Sequence, residues 1–199
     1  MQVTQHLSNQ VTALAALTFS DWMLKGIDET IFESIQAMTS VLQNEDSCVG
    51  QAAQKVAREI AQVDVEDLKR AWTRAFCSGD SSVTPHRSVA LTGLVMQEPR
   101  DEALNLMSAF GLSPEKDLHE PADHLGVLLA FWARLLAQSD CTQSAGEFAL
   151  NQLDWVPWVQ KQLKIKQADN TTTLALLGLL GSILEDFFQR NSQSSLCES

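Results

Sequence analysis

The sequence predicts an all-α protein, a single domain of roughly ten helices. Apolar residues recur at three- and four-residue steps, as at Ile31 and Ile35, which is the helical period. Two-residue alternation is confined to a short stretch, Val89 to Leu91, that could be extended. The 199 residues are 45% hydrophobic and contain no repeat, enough for one sizeable core. We expect one domain over residues 1–190 and a disordered tail over 191–199.

Helices in the first half can be placed by periodicity and by their starting residues. Apolar spacing predicts helices over Ile31–Leu42 and Val49–Ile60. The next helix begins after Asp64, whose carboxylate can accept from free amides while Asp67 lies in the positively polarised first turn. Its residues of one apolar face are Val65, Leu68, Trp72, Ala75 and Phe76.

Turn-forming residues fill positions 77–88, which read CSGDSSVTPHRS. This is the longest such stretch in the chain. Long loops in compact helical domains are often functional, although a plain connector fits the pattern equally well. Beyond it, a helix over Arg100–Phe110 should end at Gly111, and the last helix should run from Thr171 to Arg190.

The segment LHEPADHLGVLLAFWARLL, residues 118–136, combines a polar entrance with an apolar run. Pro121 suits the first position of a helix, and Asp123 would then lie in its first turn. The residues expected to enter the core are Leu125, Leu128, Leu129, Trp132 and Leu136. A helix that is apolar nearly all round is central.

Charge and composition exclude several classes of protein. A net charge of −11 and a pI near 4.7 argue against nucleic-acid binding, which needs clustered lysine and arginine. The N-terminal residues carry no export signal. The apolar segment Leu174–Leu184 is too short to span a bilayer. The four cysteines are dispersed, so we expect reduced thiols in the cytoplasm.

The two histidines of HEPADH do not predict a zinc site. Metalloprotease helices carry histidines four residues apart, so that both face one side, whereas His119 and His124 are five apart with Pro121 between them. We expect no metal here. A hydrogen-bonded structural histidine at position 124, beside Asp123, explains the pattern better.

The sequence also offers no convincing catalytic set. Ser88, Asp123 and His124 could be assembled into a triad, but adjacent helical residues point about 100° apart and form a poor pair. Cys77 with His86 has no supporting local signature. A phosphate-binding glycine loop is lacking. We therefore expect neither an enzyme nor a cofactor.

Large aromatic residues lie next to irregular backbone in two places. Trp72 and Phe76 lead directly into the 77–88 loop, and Trp155 and Trp158 surround Pro157. Rings in such positions often line a groove for an apolar peptide.

Three motifs together resemble one protein family. Glu120-Pro121-x-Asp123-His124-Leu125 precedes an apolar helix, Ala71-Trp72-x-Arg74-x-Phe76 precedes a loop ending in Pro85-x-x-Ser88-Val89, and Leu153-x-Trp155-x-Pro157-Trp158 follows later. These motifs are similar to those of the TorD/DmsD/NarJ family of redox-enzyme maturation chaperones, and most similar to its DmsD/TorD branch. The match covers roughly residues 65–165.

The resemblance implies an all-α fold and a cytoplasmic chaperone. Such a protein binds the twin-arginine leader of a molybdopterin-containing oxidoreductase of the DMSO or TMAO reductase type, assists cofactor insertion and then allows export. His86 and Arg87 depart from the DmsD pattern, which has Trp and Gly there. The leader-binding residues that the resemblance implies are Trp72, Phe76, Pro85, His86, Arg87, Ser88, Glu120, Pro121, Asp123 and His124.

We interpret these residues as an acidic rim beside an apolar floor. Asp123 and Glu120 would receive the leader's arginines, and His124 would orient the carboxylate and tune binding with pH near 6.5. The chain would be a monomer or a homodimer. Three alternatives stay open: a chaperone for metal insertion into another enzyme, a guanine-nucleotide-binding helical protein, and a helical oligomerisation module.

Overall fold

The described part of the computed structural model, residues 7–113, 119–138 and 141–197, forms ten α-helices and no strand. This agrees with the predicted all-α class. The helices are α1 (Asn9–Lys25), α2 (Glu29–Leu42), α3 (Cys48–Ile60), α4 (Val65–Phe76), α5 (Arg87–Thr92), α6 (Glu98–Ala109), α7 (Leu125–Leu136), α8 (Thr142–Gln152), α9 (Val156–Lys166) and α10 (Thr171–Cys197).

The core is built around α7 and α10. Helix α7 buries ten of its twelve residues and packs most extensively against α1, while α10 packs most extensively against α3. Trp132 of α7 is fully buried, and its ring lies 5.1 Å from that of Phe187 of α10, edge to face. The predicted central position of the apolar helix is therefore confirmed.

Local capping defines several helix starts. Asp64 accepts a hydrogen bond from the Asp67 amide at 2.8 Å, and the Asp67 side chain accepts from the Asp64 amide, which completes a capping box. The prediction for this pair is confirmed. Asp28 caps α2 with a single hydrogen bond, which it accepts from the amide of Ile31 at 2.8 Å. Gly111 has φ +67° just beyond the end of α6, as expected of a helix-terminating glycine.

Two predictions about local structure are wrong. Val89–Leu91 lies within helix α5 and is not extended, because a carboxylate from elsewhere in the chain caps that helix (see below). Helix α7 begins at Leu125 with His124 as its cap, so Pro121 and Asp123 lie in the turn before the helix. Pro121 does not open it.

Helix α10, and the apolar segment within it, are longer than the sequence pattern predicted. It continues to Cys197, past the predicted end at Arg190. The segment 171–191 is long and apolar enough to cross a membrane, whereas Leu174–Leu184 alone was predicted to be too short. However, 61% of this apolar segment is buried inside the fold. Burial against α3, α9 and α4 accounts for the composition.

Candidate functional site

The starts of α5 and α7 meet in one small cluster, which we call the α5–α7 junction (residues 85–88 and 120–126). His86 and His124 form an isolated antiparallel bridge. The Arg87 amide donates to the Asp123 carbonyl at 3.0 Å, and the Leu125 amide donates to the Pro85 carbonyl at 2.9 Å. Two segments far apart in sequence are thus joined through their backbones.

Each helix of the junction is capped by the 123–124 pair. The Asp123 carboxylate accepts from the Ser88 amide in the first turn of α5 at 2.9 Å. His124 Nδ1 accepts from the Gly126 amide in the first turn of α7 at 3.1 Å. Because first-turn amides lack partners within their own helix, these two side chains stabilise both helix starts at once.

A histidine pair and one exposed acid complete the junction. The imidazoles of His86 and His124 lie edge to face with ring centroids 5.0 Å apart. His86 Nε2 lies 3.5 Å from the Glu120 carboxylate, whose side chain is 43% exposed. Burial lowers the pKa of His86, although the Asp123 and Glu120 carboxylates oppose the shift. Burial, with a smaller contribution from His86, lowers the pKa of His124 to about 3.

These positions correct two expectations about the rim. Asp123 has no exposed surface, and one of its oxygens already binds the Ser88 amide, so it does not present a carboxylate to an incoming arginine. His124 accepts from Gly126 and does not orient Asp123. With a pKa near 3 it is neutral at physiological pH, so it does not titrate near 6.5.

The predicted residues therefore fall into a buried and an accessible group. Pro85, His86, Ser88, Asp123 and His124 are buried. The Arg87 guanidinium is mostly covered and pairs with Glu102 at 2.7 Å. The accessible or half-buried members are Trp72, Phe76, Glu120 and Pro121.

Trp72 and Phe76 lie beside the C-terminal end of α1. Their ring centroids are 6.0 Å apart, and Phe76 also lies 5.8 Å from Trp22 of α1. Burial raises the pKa of the Cys77 thiol, and the Glu120 carboxylate raises it further. The end of α4 is thus within electrostatic reach of Glu120.

The 77–85 loop is held in place by the connection between α9 and α10. The Lys166 ammonium donates to the carbonyls of Asp80 and Ser82, and the Gln167 side chain donates to those of Arg74 and Ser81. Nothing in the sequence pattern of the loop indicated these partners, because they lie more than eighty residues away.

The second aromatic pair does not line a groove as predicted. Trp155 is only 4% exposed and its indole donates to the Gln152 carbonyl. Pro157 lies in the first turn of α9, where its missing amide costs no hydrogen bond. Trp158 is partly buried against the core. These rings shape the core around α9.

Sequence reasoning missed an apolar groove between α1 and α2. It has a volume of about 580 Å³, and its lining includes Leu14, Leu17 and Val41, which are among the most exposed large apolar residues described. The available signal was that apolar residues occur on every side of α1, with Phe19 and Trp22 buried on roughly the opposite side from Leu17.

Comparisons with known proteins agree with this architecture. The model of the nitrate reductase delta subunit family matches residues 42–159, more than half of the chain and including the whole α5–α7 junction. The chain belongs to this family. It includes the TorD and NarJ proteins, so the resemblance drawn from the motifs is confirmed.

Individual relatives cover most of the chain. The chaperone protein TorD of Actinobacillus succinogenes is 28% identical over 185 residues, 90% of this chain and 93% of that protein. TorD of Vibrio cholerae is 27% identical over 143 residues, 69% of this chain and 65% of that protein. The structure of a redox enzyme maturation protein from Archaeoglobus fulgidus, 22% identical, aligns over 94% of this chain and 96% of that one with a TM-score of 0.55.

These relatives support a role in redox-enzyme maturation, as a chaperone and not as an enzyme. The prediction of a non-catalytic protein is therefore confirmed through the family.

Proposed function

We propose that this protein is a cytoplasmic chaperone that binds the twin-arginine leader of a molybdopterin-containing oxidoreductase. It would hold the client until its cofactor is inserted and then release it for export. The observation that carries the proposal is the α5–α7 junction, where two of the three family motifs meet and leave one carboxylate, Glu120, exposed. Glu120 acts electrostatically on Cys77, the residue that follows the half-buried Phe76.

In this proposal the buried junction residues position the binding surface and do not touch the leader. Asp123 and His124 hold the starts of α5 and α7 together through the Ser88 and Gly126 amides. The surface presented outward is then set by the turn that carries Glu120 into the backbone pairing at His124. Binding sites on rigid elements hold their geometry better than sites on loops alone.

The accessible residues supply the two kinds of contact that a leader needs. Glu120 can accept charge-assisted hydrogen bonds from an arginine, which are stronger than neutral ones. The exposed parts of Trp72 and Phe76 can bury apolar leader residues at about 25 cal/mol per Å². The net charge of −11 attracts a basic peptide toward the surface before contact.

Isothermal titration with a panel of synthetic twin-arginine leaders of molybdenum reductases from the same genome tests the proposal. One leader should bind, and replacing its two arginines with glutamine should weaken binding. Glu120→Gln should weaken the wild-type complex about tenfold, the equivalent of one charge-assisted bond. Asp154→Asn, which removes an exposed acid far along the chain in the turn before α9, is the matched control.

Two results would contradict the proposal. The first is that no leader of the panel binds. The second is that Glu120→Gln and Asp154→Asn bind the leader equally well, which would show that the leader binds away from the junction.

A further inference from the structure

The groove between α1 and α2 is an exposed apolar surface that the proposed site does not use. Leu14 is 66% exposed, Leu17 47% and Val41 58%, and all three line the groove with Met38. Contiguous exposed apolar surface on a folded protein marks an interaction site.

The outer face of α1 is not part of the hydrophobic core. The core side of this helix carries Phe19 and Trp22, which are 1% and 0% exposed. The groove side of the helix carries the exposed leucines Leu14 and Leu17, with Asp21 and Lys25 at one end. On the groove side, the described residues provide no cover for Leu14 and Leu17.

The charges around the groove indicate which occupant fits. Residues 7–46 contain six acidic residues and a single lysine. That lysine, Lys25, is engaged by Asp21 at 2.7 Å. Both of these residues and Asp28 line one end of the groove, while Leu14 and Val41 line its apolar remainder.

A second copy of the chain does not complement this surface. It would bring one acidic rim against another and one concave surface against another. An apolar segment with cationic residues at one end complements both the shape and the charge. The α1 residues that line the groove span Val11 to Lys25, about 21 Å at 1.5 Å per residue, which suits a helical segment of about 7–15 residues.

The charged end of the groove adjoins the region of the proposed site. Gly26, in the turn between α1 and α2, lies against the Trp72 ring, which a Cβ at that position would approach to 3.4 Å. Ser20 of α1 donates to the Gly126 carbonyl in the junction at 2.8 Å. The turn at Gly26 therefore brings the Trp72 ring close to the charged end of the groove.

We propose that the α1–α2 groove binds the apolar stretch of the client's leader, with the leader's basic residues directed toward the end of the groove at Asp21 and Asp28. This inference rests on the proposed function and extends it. Export leaders combine a basic start with an apolar stretch of 7–15 residues, the same order of chemistry that the groove and its acidic end present.

Fluorescence anisotropy with a labelled synthetic peptide tests the groove independently of the client's identity. The probe carries two arginines followed by about twelve leucine and alanine residues, the length of a leader's apolar stretch. It should bind the full chain. Leu14→Gln/Leu17→Gln should weaken binding at least about tenfold, whereas Leu150→Gln, at a residue 54% exposed on α8, should leave it within about twofold.

A charge variant tests the orientation of the bound segment. Asp21→Asn/Asp28→Asn should weaken the arginine peptide several-fold at low salt and leave a glutamine version of the peptide unaffected. Asparagine is as good a helix cap as aspartate, so the start of α2 is retained. Circular dichroism and thermal unfolding serve as the check that each variant is folded.

The outcomes separate this inference from the function on which it rests. If the probe fails to bind, or binds Leu14→Gln/Leu17→Gln as well as it binds the unaltered chain, the groove proposal is overturned even where authentic leaders bind at the junction. Conversion of a dimer to a monomer by the same substitutions also overturns it. A probe that binds in the groove while no authentic leader binds would refute the proposed function alone.

Discussion

The Asp123 carboxylate caps helix α5 through the amide of Ser88, thirty-five positions earlier in the chain. It accepts from the Ser88 amide with no exposure to solvent, so its loss leaves a buried donor without a partner. Asp123 is in this sense a positioning residue for the α5–α7 junction, and its effect on client binding is indirect.

Replacement of Asp123 should separate the cap from the charge. Asp123→Ala should lower the free energy of unfolding by about 1–3 kcal/mol, the cost of an unpaired buried amide. Asp123→Asn should cost less, because the amide oxygen can still accept from Ser88. Chemical denaturation of both variants provides the comparison, and an equal loss in both would show that the negative charge matters more than the cap.

His124 couples the stability of the junction to pH. Its pKa is about 3 in the folded protein against 6.5 for the free group, so the unfolded chain binds more protons between these values. The contribution of His124 to the free energy of unfolding is therefore fully present above pH 6.5 and is lost as the pH is lowered toward 3. This residue alone should lower the free energy of unfolding by about 2 kcal/mol between pH 8 and pH 5.

His124→Asn should flatten that pH dependence, because asparagine can still cap α7 but does not titrate. The measurement is urea denaturation at several pH values. His119→Asn, at an exposed position, is the control and should retain the wild-type slope. An unchanged slope in His124→Asn would show that the imidazole is not held neutral in the folded state.

At the scale of the helices, starts that are capped by neighbouring residues were predictable. Asp64 and Asp67 lie three positions apart, so their reciprocal hydrogen bonds follow from sequence alone. Helix α5 was missed because its cap comes from Asp123 across the fold. The start of α7 was misplaced because Pro121 fits a first helical position equally well, and only tertiary contacts select Leu125.

The central helix offers a test of the core that is independent of the site. Trp132→Ala removes a fully buried ring that packs against Phe187 and should lower the free energy of unfolding by about 3–5 kcal/mol. Leader affinity per folded molecule should change little, since Trp132 does not line the junction. Thermal unfolding combined with titration measures both. A small loss of stability would contradict the packing described for α7.

At the scale of the whole molecule, sequence periodicity and motifs predicted the class, the family and the meeting of residues 85–88 with 120–124. Burial within that meeting point was not predictable. The sequence shows that Glu120, Asp123 and His124 are polar, but not which of them are buried. The backbone bridge between His86 and His124 lies where Asp123 and His124 are buried, and of these three residues Glu120 stays exposed.

The distribution of charge links the junction to the α1–α2 groove. Glu120 is exposed at the junction, Asp21 and Asp28 line the groove, and all three belong to a molecule with a net charge of −11. A basic and apolar segment would meet carboxylates and apolar side chains at both places. The same charge pattern disfavours nucleic acid.

Hydrogen–deuterium exchange of the chain with and without a bound twin-arginine leader tests most directly where the client binds. We expect slower exchange at residues 85–88 and 120–126 in the complex, since the leader covers Glu120 and stabilises the paired helix starts. A leader that binds tightly yet leaves exchange in both segments unchanged, with protection confined to other helices, would contradict the account.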